Sequence, residues 1–241
     1  MSVIAVVGAY GKMGKLICER VKESGFDVRE VDILSKKLQK LGDIKEKVDL
    51  VIDFSNKNQS LEVLDYCVKS NTKLIMGTTG QGDFFASELK FAASKIPIIK
   101  CDNFSENVIK FKNLAKAMSK KFDGEIAVVE AHHKHKADFP SGTAKQIISA
   151  MLEEDNNKTS TSSCQNPEED VINSYSLRGG TLFGRHEVHF FADDEEIVLT
   201  HSSYSRKPYI NGLMRAVDFL IKENRAGLYS FEDIIFLSSS E

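Results

Sequence analysis

The stretch Val3-Ile4-Ala5-Val6-Val7-Gly8-Ala9-Tyr10-Gly11-Lys12-Met13-Gly14 decides the fold. Five consecutive apolar residues suit a strand buried on both faces, as in a parallel sheet. Three glycines at three-residue spacing follow at once. Met13, Leu16, Ile17 and Val21 then keep a helical period. Strand, glycine turn and helix in that order predict a dinucleotide-binding unit, with a purely structural turn as the weaker reading. The glycines permit a tight turn, let the backbone approach a pyrophosphate, and let the helix lie close to the sheet. The helix start offers unpaired N–H groups and a positive dipole end to the phosphates. The spacing is GxxGxxG rather than the commoner GxGxxG, so the flanking strand and helix carry the reading. Gly8, Ala9, Tyr10, Gly11, Lys12 and Met13 are the expected cofactor-binding turn.

Outward from this unit, apolar runs at 48–54, 74–76 and 96–99 alternate with helical patterns. Leu61, Leu64 and Val68 keep one helical face; Phe85, Leu89, Ala92 and Ala93 keep another. The alternation predicts a doubly wound, Rossmann-like α/β domain with a parallel sheet. Residues 28–32 read as a short second strand. Asp32, 18 residues beyond Gly14, is the expected ligand of the adenosine ribose hydroxyls, with Glu30 the second choice. Lys36 and Lys37 would meet a 2′-phosphate or form a solvated charge run, so NADH and NADPH both stay open. Gly77-Thr78-Thr79-Gly80 follows the 74–76 strand and falls at the carboxyl edge of the sheet, where open α/β folds bind ligands.

After residue 99 the pattern changes. The spacing predicts a helix over 105–122, a strand over 125–131 and a helix over 141–152. The polar segment 153–170 reads as an exposed loop. Strands over 173–178, 186–191 and 196–202 follow without intervening helices, which predicts an α+β unit with an open, partly antiparallel sheet. A helix over 211–223 is expected to end at Gly227. Ser230-Phe231-Glu232-Asp233 resembles a capping box that starts a last helix.

Length and composition bound the rest. At about 150 residues per domain, 241 residues make between one and two domains. Hydrophobic residues at 41% and charged residues at 28% fit a soluble globular chain. A net charge of −3 argues against a broadly basic nucleic-acid binder but leaves room for a local basic pocket. Cys18, Cys67, Cys101 and Cys164 form no CxxC pair and read as idle thiols in a reducing compartment. No apolar run approaches about 18 residues, so no membrane span is expected. The chain enters a strand at once, without a basic, leader-length apolar start, which points to the cytoplasm.

Chemistry is densest at Glu130-Ala-His132-His133-Lys134-His135-Lys136-Ala-Asp138-Phe-Pro140-Ser141-Gly142-Thr143. The segment runs from a strand end into a helix start. Ser141 suits the N-cap, which leaves the N–H groups of Gly142 and Thr143 for a bound anion. With Lys134, Lys136 and the histidines nearby, the expected ligand is a small polycarboxylate. Histidine is suited to proton transfer near neutral pH. Metal ligation is a weaker reading, because neighbouring His132 and His133 diverge at a strand end and no HExxH or cysteine partner is present. A nucleic-acid or phosphate loop lacks interleaved aromatics. A solvated charge run does not account for the glycine-containing helix start.

These residues resemble the dihydrodipicolinate reductase family. Glu130 to Ala144 is similar to its signature E-x-H-H-x-x-K-x-D-x-P-S-G-T-A. Val6 to Gly14, Val51 to Ser55, Gly77 to Gly80 and Asn103-Phe104-Ser105 resemble further motifs in the same order. So do Arg178-Gly179-Gly180, Gly184-x-His186, Ser205-Arg206 and Gly227-Leu228-Tyr229. The resemblance implies reduction of 4-hydroxy-tetrahydrodipicolinate by NADH or NADPH, in lysine and diaminopimelate biosynthesis. It implies His132 as catalytic acid/base and Lys136 as proton donor. His133, Ser141, Gly142 and Thr143 would hold the substrate carboxylates. Gly8 to Met13, Asp32, Gly77, Thr78, Thr79, Cys101, Asp102, Asn103 and Phe104 would contact the cofactor. No metal is implied, and a homotetramer is. Order and family together divide the chain into a dinucleotide-binding domain, 1–103 with 211–241, and a substrate-binding and oligomerisation domain, 104–210. The chain departs from the family at Asp102, an added acid, at Glu106-Asn107, at Phe139, and in a shortened stretch between residues 28 and 48. Other two-domain dehydrogenases, a nicotinamide-binding regulator and a metal-dependent hydrolase are the competing readings.

Overall fold

A computed structural model describes residues 1–32, 40–153, 159–161 and 171–237. Lys36, Lys37 and Cys164 lie outside the described residues. The chain divides into two units, Met1–Ser105 with Tyr209–Glu241, and Glu106–Pro208.

The first unit is built on a six-stranded parallel sheet. Its strands are β1 (Val3–Val7), β2 (Asp27–Val31), β3 (Leu50–Asp53), β4 (Lys73–Met76), β5 (Pro97–Lys100) and a late strand, Gly227–Tyr229. Its helices are α1 (Lys12–Glu23), α2 (Ser60–Ser70), α3 (Asp83–Ala93) and, near the chain end, Lys207–Leu220 and Phe231–Leu237. The sheet order is late strand, β5, β4, β3, β1, β2. The chain leaves β1 toward one edge and then crosses to the other side through β3. That reversal opens a crevice at the carboxyl ends of β1 and β3, the usual ligand position in such sheets. Register places Val7 beside both Val31 and Asp53 there. Ile4, Val6, Ile52, Ile75 and Ile98 are fully buried. Each such side chain contributes roughly 1.5–3 kcal/mol of burial free energy.

The second unit is a five-stranded mixed sheet with helices on one face. It comprises α4 (Glu106–Ser119), β6 (Glu125–His132), α5 (Gly142–Leu152), β7 (Thr159–Thr161), β8 (Val171–Arg178), β9 (Gly184–Ala192) and β10 (Glu195–Ser203). The order is β10-β9-β6-β8-β7, with β8 parallel to β6 and β9 antiparallel to it. Phe111, Ala115, Ile147 and Met151 of the helices pack on Ile126, Val128, Val188 and Phe190 of the sheet. The two-residue strand period therefore turns Ile126, Val128, Glu130 and His132 to the helix-covered face.

Two expectations are corrected. The loop expected over 153–170 contains β7, which pairs in parallel with β8. Thr159-Ser160-Thr161 is polar and three residues long, so no apolar period betrays it. Nor does Gly227 end a helix. The helix preceding it runs Lys207–Leu220, and Gly227 opens the late strand, β11, which pairs in parallel with β5. Lys207 N–H donates to Ser205 Oγ at 3.2 Å, which starts this helix four residues before the expected point. The final helix begins as expected, with Asp233 N–H donating to Ser230 Oγ at 3.3 Å.

Candidate active site

Two groups of residues meet the chemical expectations, one in each unit. In the first unit, Gly8 adopts φ +80°, a conformation that favours glycine. Its N–H and that of Ala9 both donate to Val31 O, at 2.9 and 3.2 Å, which pins the turn to β2. A Cβ on Gly8 would strike the backbone of Phe54, and one on Gly14 would strike the backbone of Gly8 and Ala9. Gly14 thus permits close helix–sheet packing. A Cβ on Gly11 would meet only Gly8 O, at 3.2 Å. The first intrahelical bond of α1 runs from Lys15 N–H to Gly11 O, so the amides of Lys12 and Met13 precede it. Ala9 is buried and Tyr10 half exposed.

The other expected cofactor contacts lie at the same sheet edge. Asp32 directly follows β2. Gly77 N–H donates to Asp53 O at 2.9 Å, and a Cβ on Gly77 would enter the Phe54 ring. Thr78 is buried with its hydroxyl on Asp53 O, whereas Thr79 is exposed. Asp53 is itself wholly buried, and its Oδ2 has no hydrogen-bond partner. Cys101 N–H donates to Met76 O at 3.0 Å. Asp102, the added acid, pairs with Lys100. Asn103 Oδ1 accepts from Ser105 N–H at 2.9 Å. Phe104 is sealed between Phe54 and Phe231, with ring centroids 5.9 and 5.1 Å away. Its side chain therefore serves the core.

In the second unit, His132 ends β6 with Nδ1 2.5 Å from Glu130 Oε2. Arg178, opposite His132 in the β6–β8 register, grips the same carboxylate at 2.9 and 2.6 Å. Arg178 also donates to the carbonyls of Lys136 and Asp138, which fastens the loop carrying Lys136 to β8. Lys136 Nζ lies 2.9 Å from Asp138 Oδ1. The rings of His133 and His135 sit 6.4 Å apart. Ser141 caps α5, with its Oγ accepting from Ala144 N–H at 3.2 Å and lying 3.1 Å from His186 Nε2. Ser141 is buried, so this hydroxyl is engaged inside the unit, while Gly142 is exposed.

Burial pushes His132 below its ordinary value. Glu130 opposes that shift, and Lys136 and Arg178 reinforce it. His186, more deeply buried and close to His132, is pushed down to about 3 and is neutral at pH 7. Burial alone would push Glu130 up, but hydrogen bonds from Arg178, Ser176 and His132 outweigh it, so the carboxylate stays ionised. Among the described residues, no group of three or more His, Cys, Asp or Glu is arranged to hold a metal ion. Cys18, Cys67 and Cys101 form no disulfide among the described residues. No helix among the described residues is long and apolar enough to cross a membrane.

The comparisons with known proteins bear on the same two units. The N-terminal dihydrodipicolinate reductase domain family matches residues 2–104, and its C-terminal counterpart matches residues 108–235. This chain belongs to the dihydrodipicolinate reductase family. A 4-hydroxy-tetrahydrodipicolinate reductase of Archaeoglobus fulgidus is 32% identical over 96% of this chain and 99% of its own. One from Rickettsia bellii is 34% identical over 95% of this chain and 93% of its own. A dipicolinate-bound dihydrodipicolinate reductase from Paenisporosarcina sp. TG-14 shares the fold, with a TM-score of 0.78 at 21% identity, over 97% of this chain and 99% of that one.

Glu130, Arg178 and His186 were not singled out as site residues by the sequence, although all three lie in family motifs. Gly184 is a fourth. A Cβ there would sit 3.1 Å from His132 Nε2. Gly184→Ala is expected to crowd that nitrogen and lower kcat roughly tenfold or more, with an unchanged circular dichroism spectrum. Wild-type kcat in that variant would show that Nε2 needs no such space.

Proposed function

We propose that this chain reduces 4-hydroxy-tetrahydrodipicolinate to tetrahydrodipicolinate with NADH or NADPH, in lysine and diaminopimelate biosynthesis in the cytoplasm. The observation that carries the reading is the strand end and capped helix start from Glu130 to Thr143, joined through one buried carboxylate. The names of the A. fulgidus and R. bellii relatives support it, and so does the dicarboxylate bound to the Paenisporosarcina protein.

The glycine turn fits a dinucleotide, because its Cβ-less backbone packs against β1–β3 and leaves the first amides of α1 ahead of any intrahelical bond. Lys12 and Met13 would take the phosphates and Asp32 the ribose. Gly77 to Thr79, Cys101 to Asn103 and the backbone of Phe104 would hold the nicotinamide half. The reduced nicotinamide, when bound, supplies the hydride. Lys136 supplies the proton to the substrate nitrogen, with His132 relaying it at Nε2. His133, Lys136, Gly142 and Thr143 bind the carboxylates, and Ser141 fixes the start of α5 that presents them. The test mixes purified protein with enzymatically generated substrate and each reduced cofactor, and follows nicotinamide absorbance. Loss of absorbance that requires substrate is expected; none with either cofactor would sink the assignment.

Asp138 already occupies part of this cradle. Burial alone would push its carboxyl up, but the Lys136 ammonium and the amides of Asp138 and Gly142 hold it below the usual range. A substrate carboxylate that meets Lys136 and the α5 amides must displace it. Asp138→Asn is therefore expected to tighten dipicolinate binding severalfold by calorimetry. Weaker binding would instead make Asp138 a support for Lys136.

The helix-free face of the second sheet carries an apolar groove. Tyr175 and Phe191 line this groove, of about 290 Å³, and Leu177 and Val198 are exposed on the same side. A second copy of the chain covers this face in a homotetramer. Tyr175→Glu combined with Phe191→Glu should lower the mass measured by light scattering. An unchanged mass would move the interface elsewhere.

A further inference from the structure

Among the described residues of the second unit, Glu130 is the most deeply enclosed charge, with 1% of its surface exposed. Arg178, Ser141 and His132 bring four donor atoms to its two oxygens, beside the Ser176 hydroxyl. Arg178 Nη2 and the Ser141 N–H meet Oε1, at 2.6 and 3.3 Å. Arg178 Nη1 and His132 Nδ1 meet Oε2, at 2.9 and 2.5 Å. Arg178 alone would balance the charge through its two parallel bonds. His132 is a further partner, brought there because residues two apart on a strand share a face.

We propose that Glu130 is the positioning residue of the proton-transfer site: its Oε2 holds the Nδ1–H of His132, so that Nε2 is the nitrogen that works. This rests on the reading that His132 relays protons. An ionised carboxylate only accepts hydrogen bonds, so the neutral ring must carry its proton on Nδ1. Nε2 then keeps its lone pair, on the side where Gly184 has no Cβ. In the relay, Nε2 takes one proton from the Lys136 ammonium and passes one to the substrate nitrogen, and solvent reprotonates Lys136. Glu130 stabilises the imidazolium in between, and no electrons move in this step. The same carboxylate receives the Ser141 N–H, so one group sets both the relay nitrogen and the start of the helix that presents the carboxylate-binding amides.

The charged and titratable groups that face His132 come from every neighbouring element. Glu130 lies on its own strand, Arg178 on β8 and His186 on β9, with its ring 5.3 Å away, and Lys136 is on the following loop. His186 stays neutral, and Glu130 is the one carboxylate among them. Glu130→Gln keeps the shape and removes the charge. The titration of His132 is followed by NMR, with its signal assigned by its loss in His132→Gln. The midpoint is expected to fall in Glu130→Gln, and the acid limb of kcat/KM to move down in pH with it. Loss of kcat should reach about tenfold or more, with KM changed by less than about threefold. An unmoved midpoint, or a loss carried wholly by KM, overturns the proposal. If the single variant does not fold, Glu130→Asp keeps the charge but draws it back from Nδ1, and the midpoint and the acid limb are again expected to fall. If the wild-type protein does not turn over substrate, the proposed reaction fails and the midpoint alone decides the pairing.

Discussion

His132→Gln is expected to lower kcat by about two to four orders of magnitude, the range removed with a positioned proton-transfer group. Glutamine keeps a polar side chain of similar reach but cannot cycle a proton near pH 7. The fold should tolerate the change, since the Arg178–Glu130 pair survives without the imidazole. Lys136→Ala should cost a similar factor, because the loop that carries it is fastened by Arg178 through backbone carbonyls and stays in place. The pH profile sharpens the test. Burial depresses His132 below its ordinary value, which favours the neutral form that the proposed relay needs. Activity is therefore held above that depressed value and lost as pH falls through it. The acid limb of kcat/KM should lie below the ordinary imidazole range and vanish in His132→Gln. Undiminished turnover in both variants would remove these residues from the chemistry.

How far this site could be read in the sequence depends on distance along the chain. The cations and the helix cap fall within 14 consecutive residues, from Glu130 to Thr143, and Ser141 declares itself by residue type. The partners that organise them do not. Arg178 lies 48 residues beyond Glu130 and reaches it through the parallel β6–β8 pairing. His186 lies 45 residues beyond Ser141 and arrives on the antiparallel neighbour β9. Composition and period carry no information on which strands pair, or in what register. Likewise β1 and α1 are legible because a buried strand and an amphipathic helix have strong periods. The strands β7 and β11, three residues each, have none. Phe104 shows the opposite limit. It stands in a family motif, yet its side chain is packed into the core.

Gly14→Ala tests the stretch that decides the fold, and two opposing magnitudes set its outcome. In a helix interior, alanine is favoured over glycine by about 0.8–1.0 kcal/mol. Against this stands the overlap of a new Cβ with Gly8 and Ala9, whose atoms at that point are backbone. Those two residues cannot retreat, because their N–H groups are fixed on Val31 O. Gly8 is in turn stopped by the Phe54 backbone. The strain must fall on α1, which then lifts Ile17, Cys18 and Val21 off the sheet they are buried against. Overpacking of this kind costs typically 1–3 kcal/mol and occasionally more, so the propensity gain loses. For a chain of this size, a net 1–2 kcal/mol lowers Tm by roughly 2–8 °C. The same displacement moves the Lys12 and Met13 amides from the place proposed for the phosphates, so the dissociation constant for NADH or NADPH should rise at least about tenfold. Gly42→Ala is the control, since nothing lies within 4 Å of a Cβ there. It should leave cofactor binding unchanged. Wild-type Tm and cofactor affinity in Gly14→Ala would mean that α1 is not held against the turn by this glycine, and the helix start would lose its part in binding.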